Sequence, residues 1–542
     1  MRGTKRRVAV AAAVITLGTL ASSATGCRVA DTDVKRWETT QRGPYKLVAV
    51  VTHDKYSWEL RTDAALSLIR MPPRGGVRQG IGYLVEKYKD EDGETREGAL
   101  NQLQEEPRRQ IVDKMAPQLI KELEPPPPPR TPEGRLPADP TIPFKDATFA
   151  MLVHEPPLVS NEKTRADLRA ALTKWAATGF EDRIENGSQQ FGLEQMMRFL
   201  GPESVKTLPG LINENIGRID RVAGLINDVG DEPTKLKASE ALATLAHKYN
   251  TKEWLDAQTK IVKESNARNN IKADETQVAG QVDKIQERRL TEEVFPAMKK
   301  VGGRPSIDYL FSYAAESKNS ADRRKLALAA LEGRVDKNSP TDLERTFAIA
   351  KNEENPDAVR DVAFRRMGEF PKEQIVPKLY TLFEPKKWKT RWVAGETVLT
   401  TFNSTKQIPD FLARLPKTPI TKSGMTESLS FAGKMRQMEP SPGDPKARDV
   451  LLPYLTSREF GARMTALGFF WEGKKADRGV VSPFENDPTP LPKCDKEDDC
   501  SWSCDVPKAS APPASKEMEP KELKTVGEYV KFCLVPSMDK EK

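Results

Sequence analysis

Apolar residues recur every three to four positions over much of the chain, which is the spacing of one face of an α-helix. Two successive apolar faces comprise Val359, Val362, Ala363, Met367 and Phe370, and then Trp388, Trp392, Gly395, Leu399 and Phe402. Asn355 before Pro356, and Ser339 before Pro340, are typical of an N-cap followed by a proline in the first helical turn. Each such helix needs a neighbour to cover its apolar stripe, so the pattern predicts an all-α fold.

Two short motifs repeat along the chain. The first is an apolar residue, proline, any residue and a second apolar residue, at 116–119, 208–211, 295–298, 376–379, 408–411 and 452–455. The second is a basic residue with alanine three positions later, beginning at Arg61, Lys235, Arg324, Arg360, Arg391 and Arg463. Arg360 follows Arg324 by 36 residues and Arg391 follows Arg360 by 31, and periods of this length indicate an α-solenoid of antiparallel helix pairs. We expect the alanine to lie where helices approach closely and the arginine to cap carbonyl groups of the adjacent repeat.

A proline-containing first helix followed by an Arg-x-x-Ala second helix resembles the HEAT-repeat family. The resemblance is strongest at 320–402 and at 33–89, and the pattern is blurred from 148 to 315. It implies a solenoid whose curved surface binds other macromolecules, and it implies neither catalytic chemistry nor a cofactor.

The first 27 residues look like the signal of a bacterial lipoprotein. A basic stretch and an apolar run from Val8 to about Ala21 lead into Ala24-Thr25-Gly26-Cys27, and the run is too short to span a bilayer comfortably. The motif departs from the usual pattern at Ala24, where leucine is common. Lipidation of Cys27 would anchor the protein outside the cytoplasm, and ordinary signal cleavage is the alternative. Arg28 does not resemble the aspartate retention signal of enteric bacteria, so we expect the outer membrane, facing the periplasm or the exterior.

The other four cysteines, Cys494, Cys500, Cys504 and Cys533, all lie in the last 49 residues. An even number of cysteines in an exported chain favours two disulfides, with three connectivities open. Their spacing does not match the paired cysteines of a zinc site, so we expect no metal. The sequence therefore predicts a short disulfide-stapled C-terminal tail.

A proline-rich stretch with five consecutive prolines at Pro125 to Pro129 cannot continue a helix, and we expect a linker or a long inter-helix loop there. The predicted organisation is a signal peptide at 1–26, N-terminal HEAT-like helices at 27–123, the proline-rich linker at 124–146, degenerate helical repeats at 147–318, HEAT-like repeats at 319–475 and the cysteine-rich tail at 476–542.

Composition limits the possible partners. Charged residues make up 30% of the chain and hydrophobic residues 37%, which is typical of a well-solvated protein. Loss of Arg2, Lys5, Arg6 and Arg7 with the signal would leave 82 basic against 79 acidic residues, interleaved along the chain. A nucleic-acid binder would concentrate its basic residues on one face, so we expect no nucleic-acid partner.

No catalytic constellation is evident in the sequence. His53, His154 and His247 lie far apart, and none has a partner at metal-ligand spacing. Residues 468–474 match the G-x4-G-K spacing of a phosphate loop, but aromatic residues crowd the motif and no Ser or Thr follows the lysine. We expect a helix end there, and a solvated turn rather than a calcium site at Asp495 to Asp499.

The sequence thus predicts a lipid-anchored HEAT-like scaffold at the bacterial cell envelope that binds a protein partner and is not an enzyme. A carrier of lipid or another small ligand, and an envelope enzyme with an unrecognised site, are the alternatives. Binding to the wall polymer is a further, weaker one. The sequence does not identify the partner or the binding residues.

Overall fold

A computed structural model describes residues 29–74, 78–90, 92–383, 388–415, 426–491, 502–507 and 518–539. Within these ranges the chain is overwhelmingly helical. The helices of the first half are α1 Asp31–Trp37, α2 Gly43–Thr52, α3 Trp58–Arg70, α4 Gln79–Val85, α5 Glu105–Leu123, α6 Ile142–Val153, α7 Glu162–Ala177, α8 Phe180–Glu185, α9 Leu193–Leu200, α10 Ile219–Val229, α11 Glu232–Tyr249, α12 Lys252–Arg268 and α13 Glu275–Arg288.

The helices of the second half continue the same alternation of short turns and amphipathic segments. They are α14 Phe295–Val301, α15 Arg304–Ala315, α16 Ala321–Ala330, α17 Pro340–Lys351, α18 Asp357–Met367, α19 Lys372–Tyr380, α20 Trp388–Phe402, α21 Ile408–Ala413, α22 Thr426–Arg436, α23 Ala447–Leu451, α24 Phe460–Trp471, α25 Arg478–Val481, α26 Val526–Tyr529 and α27 Val535–Asp539. Short π-helical segments join α13 to α14 and α26 to α27.

Side-chain caps set several helix starts. Ser57 Oγ accepts a hydrogen bond from the Leu60 amide, and Ser339 Oγ accepts one from the Asp342 amide, which confirms the predicted start at Ser339. The predicted cap at Asn355 is wrong, because α18 begins at Asp357 with Pro356 at its N-cap. The Asn355 side chain is instead buried and donates from Nδ2 to the Ile349 carbonyl at 2.9 Å.

The described residues divide into two compact units. The first runs to Leu211 and includes Asp228–Thr234, and the second comprises Ile212–Asn227 and the residues from Lys235 onward. In the first unit α3, α5, α7 and α9 pack successively against one another, and α2, α4 and α6 pack in the same manner beside them. The domain boundaries predicted from the sequence stay a prediction.

The second unit has the packing of a helical solenoid. Consecutive helices form the pairs α15–α16, α17–α18 and α19–α20, joined by short turns. The second helices lie side by side in the order α16, α18, α20, α22 and α24, while the first helices α15 and α17 contact each other. This arrangement covers each apolar stripe with that of the next repeat, and it confirms the predicted all-α solenoid of helix pairs.

One hairpin departs from this layering. Helices α12 and α13 pack on each other around a small apolar cluster of Val262, Val278 and Val282. At the base of the hairpin, the buried Gln286 donates to the Tyr249 carbonyl and accepts a hydrogen bond from Arg323.

The alanines of the basic-x-x-Ala motif occupy the close approaches between helices. Each of them is completely buried: Ala64, Ala238, Ala327, Ala363, Ala394 and Ala466. Larger side chains would not fit at such contacts without displacing a neighbouring helix. The packing role predicted for these alanines is therefore confirmed.

Gly395 marks a still closer approach between α20 and α22. A Cβ atom at this position would lie 2.3 Å from Cζ of Phe431, a fully buried ring. We expect Gly395→Ala to destabilise the second unit by about 1–3 kcal/mol, because the helices must separate to accommodate the methyl group. Thermal melting followed by circular dichroism measures the effect.

Gly280→Ala is the matched control, since this helical glycine in α13 has open space around the Cβ position. It should leave the melting temperature unchanged or raise it, as alanine favours the helix by up to about 1 kcal/mol. Equal effects of the two substitutions would contradict the close packing at Gly395.

The C-terminal tail packs against the last repeat. Strand β3, Ser503–Pro507, pairs antiparallel with β4, Met518–Glu522, and Cys504 forms a disulfide with Cys533. Trp502 is buried, with its ring 5.7 Å from that of Phe460 and 6.1 Å from that of Tyr529. Trp502 therefore has a packing role, which the sequence alone did not separate from a role in binding.

A second small hairpin lies in the N-terminal part of the chain, where β1, Lys87–Lys89, pairs with β2, Thr95–Glu97.

We expect Cys533→Ser to loosen this tail and leave the repeats intact. The bridge spans 29 residues, and closing a loop of that size stabilises a fold by about 3–4 kcal/mol. Hydrogen exchange should accelerate in α26 and α27 while the amides of α16 and α18 remain protected. Accelerated exchange in α16 and α18 would show that the solenoid depends on the bridge.

The proline-rich segment lies outside the helices from the end of α5 at Leu123 to the start of α6 at Ile142. It is packed against its own unit. Gly179, which has a φ of +67°, lies against Pro127, because a Cβ atom there would be 2.3 Å from Pro127 Cγ. Arg130 Nε donates to Asp182 Oδ1 at 2.8 Å. The segment therefore has a fixed path on the surface of the first unit.

Candidate functional site

Three arginines of the repeat motif cap helices, and their partners differ from the prediction. The Nε atoms of Arg61, Arg324 and Arg360 donate to carbonyls at the ends of the first helices of their own repeats, at Val51, Ala314 and Ala350. The prediction that they cap carbonyls of the adjacent repeat is therefore wrong for these atoms. The adjacent repeat contributes side chains instead, since Arg324 Nη2 donates to Asn355 Oδ1 at 2.7 Å and Arg360 Nη2 donates to Thr390 Oγ1. The guanidinium groups of Arg324 and Arg360 thus each join two repeats.

The three histidines have separate structural surroundings. His53 follows the end of α2 and lies 3.0 Å from Asp54, and the His247 ring packs edge-on to Tyr309. His154 Nε2 lies 3.1 Å from Asn101 Nδ2, and its Nδ1 lies 2.9 Å from the Pro156 carbonyl. Over the described ranges, no group of three or more His, Cys, Asp or Glu side chains is placed to hold a metal ion.

The other sequence candidates fall at a helix end or outside the described residues. In the G-x4-G-K stretch, Gly468 lies inside α24 against Leu429 and Ala432, and Gly473 follows the end of the helix at Trp471. Cys27, the lipidation candidate, and the disulfide candidates Cys494 and Cys500 lie outside the described residues, as does Asp495 to Asp499. No helix in the described ranges combines the length and apolar character needed to cross a membrane.

A groove opens on the face formed by the second helices α18, α20 and α22. Its volume is about 570 Å³, within the range of ligand-binding clefts, roughly 300–1,000 Å³. Six of its lining side chains are charged, and the remainder are aromatic, small or hydroxylated. The lining residues are Asp357, Arg360, Asp361, Phe364, Arg365, Gly368, Trp392, Val393, Glu396, Thr397, Thr400, Thr401 and Lys434.

Trp392 lies in the wall of this groove, half-buried, and not in the core. Its apolar spacing with Gly395 and Leu399 suggested a core residue, but the buried apolar positions that follow it in α20 are Ala394, Gly395, Val398 and Leu399, and Trp392 itself is half-buried. Comparison of equivalent positions in the repeat motif shows that Trp392 is not a core residue. Trp392 directly follows the repeat arginine, and the equivalent residues of the two preceding repeats, Lys325 and Asp361, are charged. A position that is polar in the neighbouring repeats faces solvent, so Trp392 is an aromatic residue on the surface.

The charged side chains of the groove differ in their partners. Asp357 Oδ1 lies 3.8 Å from Arg360 Nη1, Glu396 accepts a hydrogen bond from Ser430 Oγ, and Asp361 also has an interaction partner. Arg365 and Lys434 line the groove without an ion pair or hydrogen bond to any residue in the described ranges. The groove therefore combines engaged carboxylates with two cations that are available to a ligand.

No protein-family model matches this sequence, and no curated protein shows significant similarity to it. Two solved structures are similar over most of the chain. An engineered protein from a structural genomics consortium matches at 14% identity and a TM-score of 0.19, over 82% of this chain and 95% of the other. The structure of Kap121p bound to Pho4p matches at 12% identity and a TM-score of 0.23, over 83% of this chain and 53% of the other, so this chain spans about half of that structure's length.

Proposed function

We propose that this protein is a HEAT-like scaffold, held at the bacterial cell envelope by a lipid on Cys27, that binds a protein partner along the groove of its second helices. The proposal rests on the groove and on the presence of Trp392 in its wall. Tryptophan and arginine dominate the binding energy of protein interfaces, and the groove offers both on one face.

The chemistry of the groove supports a protein partner over a lipid. A lipid carrier needs an enclosed apolar cavity for the acyl chains. Here charged and hydroxylated side chains line much of an open cleft, including Arg365, Thr400 and Lys434. These groups suit a partner that presents its own backbone and polar side chains to the scaffold.

The carboxylates of the groove are engaged by neighbouring side chains. Of its three carboxylates, Asp357 lies beside Arg360 and Glu396 accepts the hydrogen bond from Ser430. None of the nucleophile, base and orienting-group combinations of hydrolytic sites is assembled around them in the described residues.

Site-specific photo-cross-linking in cells tests the binding site. A photoreactive amino acid replaces Thr400, which is exposed in the groove, or Gln374, an exposed residue on α19 outside it. We expect a recurrent adduct with one or two envelope proteins from position 400 only, and its loss when Trp392→Ala is added. The same products from both positions, or none from position 400, would count against the groove as the binding site.

Fractionation of Cys27→Ala tests the membrane anchor. The variant should leave the membrane fraction and appear in the soluble extracytoplasmic fraction, because its only proposed lipid attachment is removed. Separation of inner from outer membranes locates the wild-type protein. Continued sedimentation of Cys27→Ala with membranes would overturn the lipid-anchor proposal without affecting the groove.

A further inference from the structure

Arg365 and Lys434 lie in the same cleft as Trp392, and neither has an ion pair or hydrogen bond to a residue in the described ranges. Arg365 is exposed on α18 and Lys434 is half-buried on α22, so they approach the cleft from two different helices. Several other cations of the repeats are paired across neighbouring helices, as in Lys299 with Glu332 at 2.7 Å and Arg304 with Asp342 at 2.7 Å. The groove thus has two positive charges that no carboxylate of the described residues neutralises.

An aromatic surface lies in the same cleft. Trp392 contributes a half-buried indole from α20, and Phe364 of α18, itself buried, forms part of the lining beside it. Val393 adds an apolar side chain from the next position. An apolar or aromatic side chain of a ligand would displace water from these groups, which is the arrangement of an interface hot spot.

We infer that the partner presents to this groove a short acidic peptide segment with an aromatic or large apolar anchor residue. The anchor packs on Trp392, and the flanking carboxylates pair with Arg365 and Lys434. This inference rests on the proposed function, and it adds the chemical class of the segment that is bound. Charge complementarity to the two unpaired cations is its basis.

The carboxylates of the groove argue against a polyanion with regularly spaced charges. Asp357, Asp361 and Glu396 share the lining with the two cations. A nucleic acid or an anionic membrane surface would bring phosphates against these three groups as well as against Arg365 and Lys434, and the like charges would repel. A peptide can place one or two carboxylates at the cations and neutral atoms elsewhere.

Selection of peptides from a displayed random library on the detergent-solubilised full-length protein tests the inference. Selected sequences should be enriched in Asp and Glu next to an aromatic or large aliphatic residue, compared with the unselected library. Synthetic copies should bind less tightly as salt is added. Arg365→Glu and Lys434→Glu should each weaken binding about tenfold, since each reversal replaces an attraction by a repulsion.

Arg458→Glu is the matched control, because Arg458 is exposed, lies outside the groove and has no ion pair within the described ranges. It should bind the selected peptides as the wild type does. A basic or neutral consensus, or acidic peptides that are insensitive to Arg365→Glu and Lys434→Glu, would overturn the inference. Peptides that lack acidic residues but lose affinity with Trp392→Ala would overturn it while leaving the proposed binding site in place. If no selected peptide is sensitive to Trp392→Ala and position 400 gives no adduct, the results would count against both the acidic-peptide inference and the proposed binding site.

Discussion

Replacing Arg183 by alanine is expected to destabilise the first unit by about 3–5 kcal/mol, the typical cost of removing one partner from a buried ion pair. Arg183 is almost completely buried, and its Nε lies 3.3 Å from Oδ2 of the equally buried Asp139. Burial lowers the pKa of the guanidinium, and Asp139 opposes that shift. Without Arg183 the Asp139 carboxylate would stay in the interior with only the Thr141 amide and hydroxyl as donors.

The same side chain fixes the proline-rich segment. Arg183 Nη2 donates to the Pro125 carbonyl at 2.8 Å and Nη1 donates to the Trp175 carbonyl. Its guanidinium carbon lies 4.1 Å from the centre of the Trp175 ring, whose Nε1 donates to Thr141 Oγ1. Arg183→Ala therefore removes the contacts that connect α7, α8 and the chain at Pro125, so the destabilisation should be cooperative across them.

Hydrogen exchange with mass spectrometry is the suitable measurement, because it reports the stability of individual helices in each unit. The amides of α7 and α8 should exchange at least about a hundredfold faster in Arg183→Ala. Arg130→Ala is the control, since Arg130 contacts Asp182 and Glu185 on the surface and should change exchange little. Similar exchange in both variants would show that the buried network does not stabilise the unit.

Arg324→Ala is expected to destabilise the second unit by about 3 kcal/mol, since the substitution leaves two buried acceptors without their donor. Arg324 Nε donates to the Ala314 carbonyl and Nη2 donates to Asn355 Oδ1, both at 2.7 Å. The guanidinium lies between consecutive repeats, and burial lowers its pKa. Loss of the side chain therefore weakens the contact between α15–α16 and the following repeat.

Lys325→Ala provides the comparison for Arg324→Ala at the next position of the same helix. Lys325 is half-buried and its ion pair with the exposed Asp322 lies on the surface, so its loss should not alter stability measurably. Exchange of the α15–α18 amides should accelerate in Arg324→Ala alone. An equal effect of Lys325→Ala would show that the buried guanidinium of Arg324 is not what stabilises this contact between repeats.

Much of the repeat architecture could be predicted from residue spacing. The apolar stripe of Val359, Val362, Ala363 and Met367 is buried in α18 as expected, and the motif alanines are at helix contacts. These predictions succeed because helix periodicity and close helix packing leave a local pattern in the sequence. The motif arginines were identified by the same spacing, but their carbonyl partners were assigned to the wrong repeat, since the reach of a guanidinium does not specify which helix end it meets.

The candidate site was poorly predicted. Trp392 fits an apolar helix spacing, and only the comparison of equivalent positions in neighbouring repeats separates it from the core. Arg365 and Lys434 carry no distinguishing motif, because most surface helices of this chain present lysine and arginine. Their significance is that they lie in one cleft with Trp392, and that proximity depends on how α18, α20 and α22 pack.

The sequence by itself determined that this protein is built of amphipathic helix pairs, that one of those helices begins after Ser339, and which alanines are buried between them. Each of these properties follows from the spacing of residues within about ten positions, through helix periodicity and capping. The tertiary structure alone decided the path of the proline-rich segment, the pairing of Cys504 with Cys533 and the groove of α18, α20 and α22. Those features join residues distant in the chain, so they exist only once the repeats are packed and the burial and pairing of each charge are set.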